Sequence, residues 1–529
     1  MRGQVVQAVG GPARAHVILM FGAVLGLSGA DTATVGAVAP QLERSLHIGN
    51  AEIGLLSSVA LLVGAVFVVP VGMLVDHVRR MPLLAVSVAL WSVASFASGL
   101  AGSYDDLLLT RLALGAVTAT AGPAIASLTG DYFPSHERGR VYAYILGGEI
   151  AGSAGGFIVG GTLASVISWR AAFMLLAVPG LWLARSLWRT VPEPARGGAS
   201  RLARGATGFE DLPWSQFRAD ARSEAAADTA PQARAPDAAA LAREPMAERS
   251  PDEEAAVREV RRRGVQPAQR LVLSEDPRAM GILDAVRYVL SIPSYALLVI
   301  SSSLGYFYFA GLQTFVLLFM RGHYHVGQAT AELVVALLVA GALLGTLASG
   351  RVTDLMLRHG VLSARIVVPA ACYLAAALLL VPGVLASHLS SALWFDVGGA
   401  SLISAANPPL DAARLDIMPA GLWGRAEATR SLARSLAQAL APLAFGALAD
   451  LVAGFVPAQA PIGTHPSGIS ASAATGLEVT FLIMLASLAA AGVFLLRARG
   501  TYAGDVATAA ASAEAQRAAG REPSSPQRS

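Results

Sequence analysis

The chain has 529 residues, of which 54% are hydrophobic and only 14% are charged, and its formal net charge is +3. Soluble domains carry about 25% charged residues, so this composition excludes an ordinary soluble enzyme. The charges are also concentrated, because residues 192–281 hold 29 of the 75 charged side chains. This distribution predicts a polytopic membrane protein with one hydrophilic insert.

The charge pattern and the motif content exclude several functions. Every positive side chain is an arginine, and no basic patch stands outside the loops, so we expect no nucleic-acid partner. The single cysteine, Cys372, excludes an intrachain disulfide. The sequence has no nucleotide-binding Gly-Lys-Thr loop, zinc-binding His-Glu-x2-His motif or serine elbow. We therefore expect no cofactor, no metal site and no enzyme activity.

Twelve apolar stretches are long enough to cross a bilayer, which takes about 20 residues of helix. Spans 1–6 precede the insert and spans 7–12 follow it. The predicted fold class is therefore an all-α polytopic membrane protein with two groups of six helices. The spans are predicted at 15–39, 51–74, 82–101, 106–129, 141–163 and 170–188, then at 295–319, 329–350, 363–386, 391–414, 428–452 and 476–497.

Arginines in the short loops predict the orientation, because cytoplasmic loops carry an excess of positive charge. Ten loop arginines fall on one side, which places both termini and the insert in the cytoplasm. The predicted location is the plasma (inner) membrane. Arg44 and Arg321 are exceptions on the other side. The ten are Arg79, Arg80, Arg138, Arg140, Arg351, Arg358, Arg365, Arg425, Arg497 and Arg499.

Two short motifs occur once in each half of the chain. A Gly-x3-Asp motif ends spans 2 and 8 at an offset of 278 residues, and an Asp-x2-Pro-x4-Gly-Arg motif follows spans 4 and 10 at an offset of 285. Motifs in register indicate duplicated six-helix halves, an architecture of transporters that handle substrate where the repeats meet. The first motif is Gly72 to Asp76 and Gly350 to Asp354, and the second begins at Asp131 and Asp416.

The insert is rich in Ala, Arg, Pro and acidic residues, and we predict that it is mostly disordered. A stretch at 276–290 is predicted to form an amphipathic helix that lies along the membrane before span 7. The predicted domains are an N-terminal six-helix bundle (1–191), a cytoplasmic, mostly disordered central loop (192–281), a C-terminal six-helix bundle (282–503) and a disordered tail (504–529).

The loop between spans 2 and 3 resembles the signature loop of the major facilitator superfamily, Gly-x3-Asp-Arg-x-Gly-Arg-Arg. Gly72, Asp76 and Arg80 match it, while His77 replaces an arginine and Arg79 a glycine. The resemblance covers all twelve spans and implies a secondary transporter that works by alternating access. Further matches are Arg111-x3-Gly115 in span 4 and Ser-Trp-Arg at 168–170.

Residues 89–94, Ala-Leu-Trp-Ser-Val-Ala, and the glycine-rich run 152–161 resemble the Spinster-like branch of that superfamily. Asp31 matches an acid of that branch, whereas Thr32 and Thr118 replace its neighbouring arginine and its span-4 glutamate. The resemblance implies an amphiphilic substrate such as a drug, a lysolipid or a hydrophobic metabolite.

An acid where a helix ends can hold arginines and the positive end of a neighbouring helix. The duplicated motif therefore predicts a conformational latch that stabilises the outward-facing state and opens during rocking. The alternative is that these charges only set the topology. The latch residues are Gly72, Asp76, Arg80, Gly350 and Asp354.

Span 5 carries glycines at every fourth position, which form a ridge without side chains. Such spacing lets two helix backbones approach closely, so we predict that the ridge packs against a neighbouring span. The ridge is Gly148, Gly152, Gly156 and Gly160.

Ionisable residues inside spans are costly and usually face a cavity or a partner. Asp31 in span 1 and Arg111 in span 4 predict either a coupling switch, opened by a proton or an anionic substrate, or a permanent ion pair. Glu149 in span 5 suits proton carriage, binding of a cationic substrate or a hydrogen bond to a neighbouring helix. Arg434 in span 11 is a candidate partner for Glu149 or for an anionic headgroup.

Asp396 in span 10 and Gln313 in span 7 are weaker cavity candidates. Pro408 and Pro409 are predicted to kink or break span 10. The favoured function is a proton-coupled exporter of amphiphiles that acts as a monomer, with protons, a small-molecule substrate and the lipid bilayer as partners. One alternative is an importer of small organic acids or sugars, in which Arg111 and Arg434 receive a carboxylate. The other is a transporter-like sensor that signals through the central loop.

Overall fold

The computed structural model describes residues 9–133, 135–194, 202, 251–274, 280–419, 422–455 and 471–519. These residues form helices and no β-strand, and twelve of the helical segments are long and apolar enough to cross a membrane. The twelve-span prediction is thus confirmed. The spans are Pro12–Leu46, Asn50–His77, Arg80–Leu100, Tyr104–Thr118 with Ala121–Tyr132, Ser135–Val166, Trp169–Thr190, Pro293–His323, Gln328–Arg358, Ala364–Leu385, Leu389–Ala405 with Asn407–Asp416, Trp423–Phe455 and Ala471–Ala519.

Spans 4 and 10 are each interrupted near the middle. Span 10 breaks at Ala406, directly before the Asn-Pro-Pro sequence, as predicted from Pro408 and Pro409. Span 4 breaks at Ala119 and Thr120, which was not predicted. A proline cannot donate a backbone hydrogen bond, and its ring clashes with the carbonyl four residues earlier. Pro123 stands four residues after Ala119, so the same cause acts in both halves.

The chain packs as two units, Met1–Gln41 with Leu62–Glu248 and Leu42–Leu61 with Arg249–Ser529. The end of span 1 and the start of span 2 thus belong to the second unit. Asp450 of span 11 accepts hydrogen bonds from the backbone amides of Asn50 (3.1 Å) and Ala51 (2.7 Å). A carboxylate at this place satisfies the free amides of the first helical turn. The packing therefore differs from the predicted bundle boundaries at spans 1 and 2.

The glycine ridge of span 5 lies against span 1 within the first unit. A Cβ at Gly148, Gly152 or Gly156 would overlap the span-1 backbone, and a Cβ at Gly160 would lie 3.1 Å from the hydroxyl oxygen of Thr34. Small residues on span 1 leave the matching space. The backbone that faces the ridge belongs to Gly22, Gly26 and Ala30.

The core of the second unit forms where spans 7, 11 and 12 meet. Tyr308, Phe445 and Phe481 each come from a different span, and their ring centroids lie 5.6 to 6.5 Å apart. Edge-to-face rings at such distances stabilise a core beyond the area that they bury.

The last helix continues to Ala519, sixteen residues beyond the predicted end of the second bundle at 503. Val506 and Ser512 are fully buried in this extension. The backbone amides of Ala268 and Leu273 donate to the hydroxyl oxygens of Thr508 (2.9 Å) and Ser512 (3.0 Å). The tail is therefore helical where disorder was predicted, because part of the central loop covers one side of it.

The same part of the central loop contains the helix Pro251–Arg262. Hydrogen bonds from Arg262 and Arg263 lower the pKa of Glu259 to about 2, so its carboxylate stays ionised even in mild acid. The guanidinium of Arg261 pairs with Glu514 of the last helix. Residues 251–274 thus depart from the predicted disorder, while 203–250 lie outside the described residues.

Removing both hydroxyl acceptors of the last helix is expected to release this segment. In a Thr508→Val, Ser512→Ala double variant, the amides of Ala268 and Leu273 lose their partners. A buried donor left unpaired costs about 1–3 kcal/mol, so we expect deuterium exchange of 265–274 to accelerate about 5- to 150-fold. Hydrogen exchange read by mass spectrometry measures this. Ser291→Ala, which removes an exposed hydroxyl on another helix, is the control, and unchanged exchange in the double variant would contradict the docking.

Candidate functional site

A buried ion pair joins spans 1 and 4 in the first unit. The Nη1 atom of Arg111 lies 2.9 Å from Oδ2 of Asp31, and the two side chains are 1% and 6% exposed. The Nη2 atom of Arg111 donates to the hydroxyl of Ser98 at 3.0 Å. The guanidinium carbon also lies 4.6 Å from the ring centroid of Phe173. The structure therefore brings the two predicted residues into direct contact.

Each side chain of this ion pair has one polar atom that makes no hydrogen bond to a described residue. Oδ1 of Asp31 and Nε of Arg111 are both buried without a hydrogen bond in the described part of the chain. Buried polar atoms of this kind are rare and call for an explanation such as a ligand, water or a proton. Oδ1 of Asp31 and Nε of Arg111 are thus an acceptor and a donor that are available to a ligand or to water.

Glu149 belongs to the first unit, and its side chain is exposed on span 5. Its backbone carbonyl oxygen lies beside Gly29 of span 1, at the close approach that the glycine ridge makes possible. Arg434, its predicted partner, belongs to the second unit. The pairing of Glu149 with Arg434 stays a prediction.

Arg434 lies about 14 Å along span 11 from Arg425, at 1.5 Å per residue. Its guanidinium carbon is 4.8 Å from the ring centroid of Tyr306 in span 7. Nη2 makes a long hydrogen bond of 3.5 Å to the hydroxyl of Ser431, and Nε is buried without a partner among the described residues. Arg434 makes no ion pair with any described residue.

The arginine one turn earlier on span 11 is different. Nη2 of Arg430 lies 2.5 Å from Oδ1 of Asp411 and 3.2 Å from Oε2 of Glu427. Glu427 also pairs with Nε of Arg414 at 3.1 Å. Glu427 and Arg430 stand at i and i+3 on span 11, which brings their side chains to one face of the helix. Arg430 is thereby neutralised by its neighbours, in contrast to Arg434.

The two weaker cavity candidates both lie in the second unit. The Asp396 carboxylate sits over Gly383 of span 9, where a Cβ would be 2.5 Å from Oδ1. Asp396 is half-buried and forms no ion pair with a described residue. Gln313 is also half-buried, in span 7, without a hydrogen bond to any described group. Both side chains keep polar atoms that are available to a ligand.

Only part of the predicted latch is described at the level of side chains. Arg80 is buried and donates to Glu193 through Nε (3.0 Å), to the carbonyl of Pro194 through Nη2 (3.0 Å) and to Asp131 through Nη1. A Cβ at Gly350 would meet no described atom within 4 Å. Gly72, Asp76 and Asp354 lie outside the described side chains.

The second unit contains a buried arginine–aspartate pair that is equivalent to Arg80 and Asp131 in the first unit. Arg365 donates to Asp416 through Nη1, and the hydroxyl of Tyr502 donates to the same carboxylate. This pair was not predicted, although Arg80 and Arg365 are separated by the same 285 residues as Asp131 and Asp416. The repeated offset was the available signal. Both halves thus fasten the end of a broken span with one arginine–aspartate pair.

Comparison with known proteins first shows relatives that share part of the chain. The 4-hydroxybenzoate transporter PcaK of Pseudomonas putida is 30% identical over 182 residues, which is 34% of this chain and 40% of that protein. The gallate transporter of Pseudomonas putida is 27% identical over 35% of this chain and 41% of its own length. Human protein spinster homolog 1 is 28% identical over 36% and 37%. The matches thus span about two fifths of each relative.

Solved structures match over more of the chain. A bacterial homolog to the human lysosomal transporter Spinster, in an inward-facing and unoccupied conformation, superposes with a TM-score of 0.68. The match covers 93% of this chain and 98% of that one at 20% sequence identity, so it shows a shared fold. A family model described as Major Facilitator Superfamily matches residues 21–442. The chain therefore belongs to the major facilitator superfamily, as its motifs predicted.

Proposed function

We propose that this member of the major facilitator superfamily is a secondary transporter that moves an organic acid together with protons. The observation that carries the proposal is Arg434, a cation well inside span 11 with no acidic partner among the described residues. A charged side chain at such a place is costly unless it faces water or binds an anion. A substrate carboxylate supplies that anion and matches the forked geometry of a guanidinium.

The surroundings of Arg434 suit an acid that carries an aromatic or apolar body. Tyr306 stacks on the guanidinium, and the aromatic core of Tyr308 and Phe445 follows on the same pair of spans. A ring next to a cation stabilises it and also offers a surface for the body of the substrate. The names of the Pseudomonas relatives, transporters of 4-hydroxybenzoate and gallate, support this class of substrate.

Proton coupling is assigned to Asp31 and Arg111. Protonation of Oδ1 removes the charge of Asp31, which weakens its hold on Arg111 and frees that guanidinium for an anion. The pair then couples substrate and proton through one shared arginine. With a proton gradient directed inward, such symport drives uptake across the plasma membrane, with both termini in the cytoplasm. Glu149, on the exposed side of span 5, is proposed as a second proton carrier.

An exporter of amphiphiles stays a second candidate, supported by the resemblance of residues 89–94 and 152–161 to the Spinster-like branch. The two candidates differ in what they require of Arg434. An organic acid needs a cation, whereas a neutral or cationic amphiphile does not. The substitution of this one residue therefore separates them.

Arg434→Ala is expected to reduce uptake of labelled 4-hydroxybenzoate into proteoliposomes about 10- to 150-fold. This range corresponds to one hydrogen bond to a charged group, about 1.5–3 kcal/mol. Arg434→Lys should keep part of the activity, because it keeps the charge but loses the fork. Arg499→Ala, an exposed arginine at the end of the same half, is the matched control.

Two results would overturn the carboxylate role. One is wild-type protein that takes up no aromatic or aliphatic acid while it transports a lysolipid or a cationic drug. The other is Arg434→Ala protein that is folded, as judged by its thermal transition, and transports the acid at the wild-type rate.

A further inference from the structure

A short helix, Ile282–Ser291, precedes span 7 and is called the surface helix below. Its Ala285 and Val289 are fully buried against the second unit. The hydroxyl of Tyr288 donates to the carbonyl of Leu271 at 2.8 Å, which fixes the same side of the helix. The predicted amphipathic helix at 276–290 thus begins at Ile282, and 275–279 lie outside the described residues. The face with Ala285, Tyr288 and Val289 therefore packs against the rest of the second unit.

A second face of the surface helix is apolar and is covered by none of the described residues. Ile282, Leu283 and Leu290 are 77%, 73% and 43% exposed. At 100° per residue, positions 282, 286 and 290 follow one another along the helix and 283 lies beside 290, so these side chains form one stripe with Val286. Large apolar side chains grouped in this way mark a contact surface rather than ordinary scatter.

A third face is polar and borders the stripe on its far side. It consists of Asp284, Arg287 and Ser291, all of which are exposed. Arg287 and Asp284 are 3.9 Å apart, so their ion pair is weak and leaves donors of the guanidinium available. Around its axis the helix therefore presents protein contacts, then apolar side chains, then polar ones.

The position of the surface helix follows from span 7. The helix ends at Ser291, Ile292 is buried in an extended conformation, and Pro293 begins the span. The amide of Ser294 donates to Asp505 at 2.9 Å, which fixes the start of span 7 to the last helix. A helix that ends two residues before a membrane-spanning helix lies at the level of the lipid headgroups.

We propose that the surface helix binds phospholipid at this surface of the bilayer. The stripe of Ile282, Leu283, Val286 and Leu290 enters the boundary between headgroups and acyl chains, and Arg287 donates to lipid phosphate. Burying one apolar face at this depth while the polar face stays wet is how interfacial helices bind membranes.

A lipid occupant fits better than a protein partner. The stripe has four side chains, whereas a specific protein interface buries about 1,200–2,000 Å² in total. Further apolar surface follows on the next helix, where Ile300 of the bilayer-crossing span 7 is 43% exposed. Through the bond between Tyr288 and Leu271, lipid binding holds the central-loop segment 265–274 at the membrane surface.

The test is the accessibility of nitroxide spin labels on the full-length chain in phospholipid nanodiscs. Cys372 is replaced by serine, and single cysteines are placed at 283, 290, 284 or 287. Oxygen concentrates in lipid and a nickel chelate stays in water, so the ratio of their collision rates reports the surroundings of each label. We expect labels at 283 and 290 to favour oxygen, and labels at 284 and 287 to favour nickel.

Two patterns would overturn the proposal. Preference for nickel at 283 and 290 would place the stripe in water. Low collision rates with both reagents at these positions would show that protein covers it. Since all four labelled positions are exposed, the labels are not expected to disturb the fold, and the thermal transition of each variant checks this. A Leu283→Glu variant gives a second reading. It should increase deuterium exchange of 265–274 in nanodiscs. In an amphipathic polymer that holds the protein in solution without lipid, exchange should not change.

Discussion

Gly152→Ala and Gly155→Ala are expected to change stability in opposite directions, although they add the same methyl group to the same helix. At Gly152 the methyl overlaps the backbone of Gly26 in span 1, so the two spans must separate. Overpacking of this kind costs about 1–3 kcal/mol. At Gly155 the methyl meets no described atom within 4 Å. There the gain is the helix preference of alanine over glycine, about 0.5–1 kcal/mol.

Thermal unfolding of the two purified variants in one detergent measures the difference. Gly147→Ala, also in open space on span 5, is a second control that should behave like Gly155→Ala. Equal stability of Gly152→Ala and Gly155→Ala would show that spans 1 and 5 do not make this close approach. Loss of stability in all three variants would point to a general intolerance of span 5 rather than to the ridge.

The ridge illustrates what the sequence could predict. A four-residue spacing of glycines predicts close packing, because only backbone remains on that side of the helix. The partner was not predicted, although Gly22, Gly26 and Ala30 of span 1 have the same spacing. Twelve spans were predictable for a similarly direct reason, since each crossing needs its own apolar stretch.

Other features depend on contacts that no local pattern reveals. The extension of the last helix to Ala519 has too few large apolar residues to predict a buried helix, and its burial comes from residues 251–274, which are distant in sequence. Arg365 was interpreted as a loop arginine that sets orientation, yet it is 3% exposed and paired with Asp416. Loop charge and buried ion pair have the same sequence signature at a helix end.

The candidate site was predicted best where burial of charge is most costly. Asp31 and Arg111 stand in otherwise apolar spans, so a mutual contact was the simplest way for both to be tolerated. Arg434 and Arg430 lie one turn apart on span 11. The structure separates them, because the acids that pair with Arg430 come from the end of span 10 and from span 11 itself, and neither pairs with Arg434.

Asp31→Asn is expected to abolish uptake driven by a proton gradient while exchange of labelled for unlabelled substrate continues. Asparagine keeps the shape of the side chain but cannot carry a proton across a transport cycle, whereas exchange needs no net proton movement. The substitution also leaves Arg111 buried without its carboxylate, at a cost of about 3–5 kcal/mol. Asp105→Asn, which changes an exposed acid at the start of span 4, is the control for transport and for stability.

A double-mutant cycle with Arg111→Gln separates the coupling role from a permanent ion pair. In both cases the Asp31→Asn, Arg111→Gln protein should regain part of the stability that either single change removes, because no buried charge is left unpaired. Only the coupling role predicts that gradient-driven uptake stays lost once stability is regained. If the double variant again accumulates substrate against its gradient at low external pH, protons are coupled elsewhere, and Glu149 and Asp396 become the carboxylates to test.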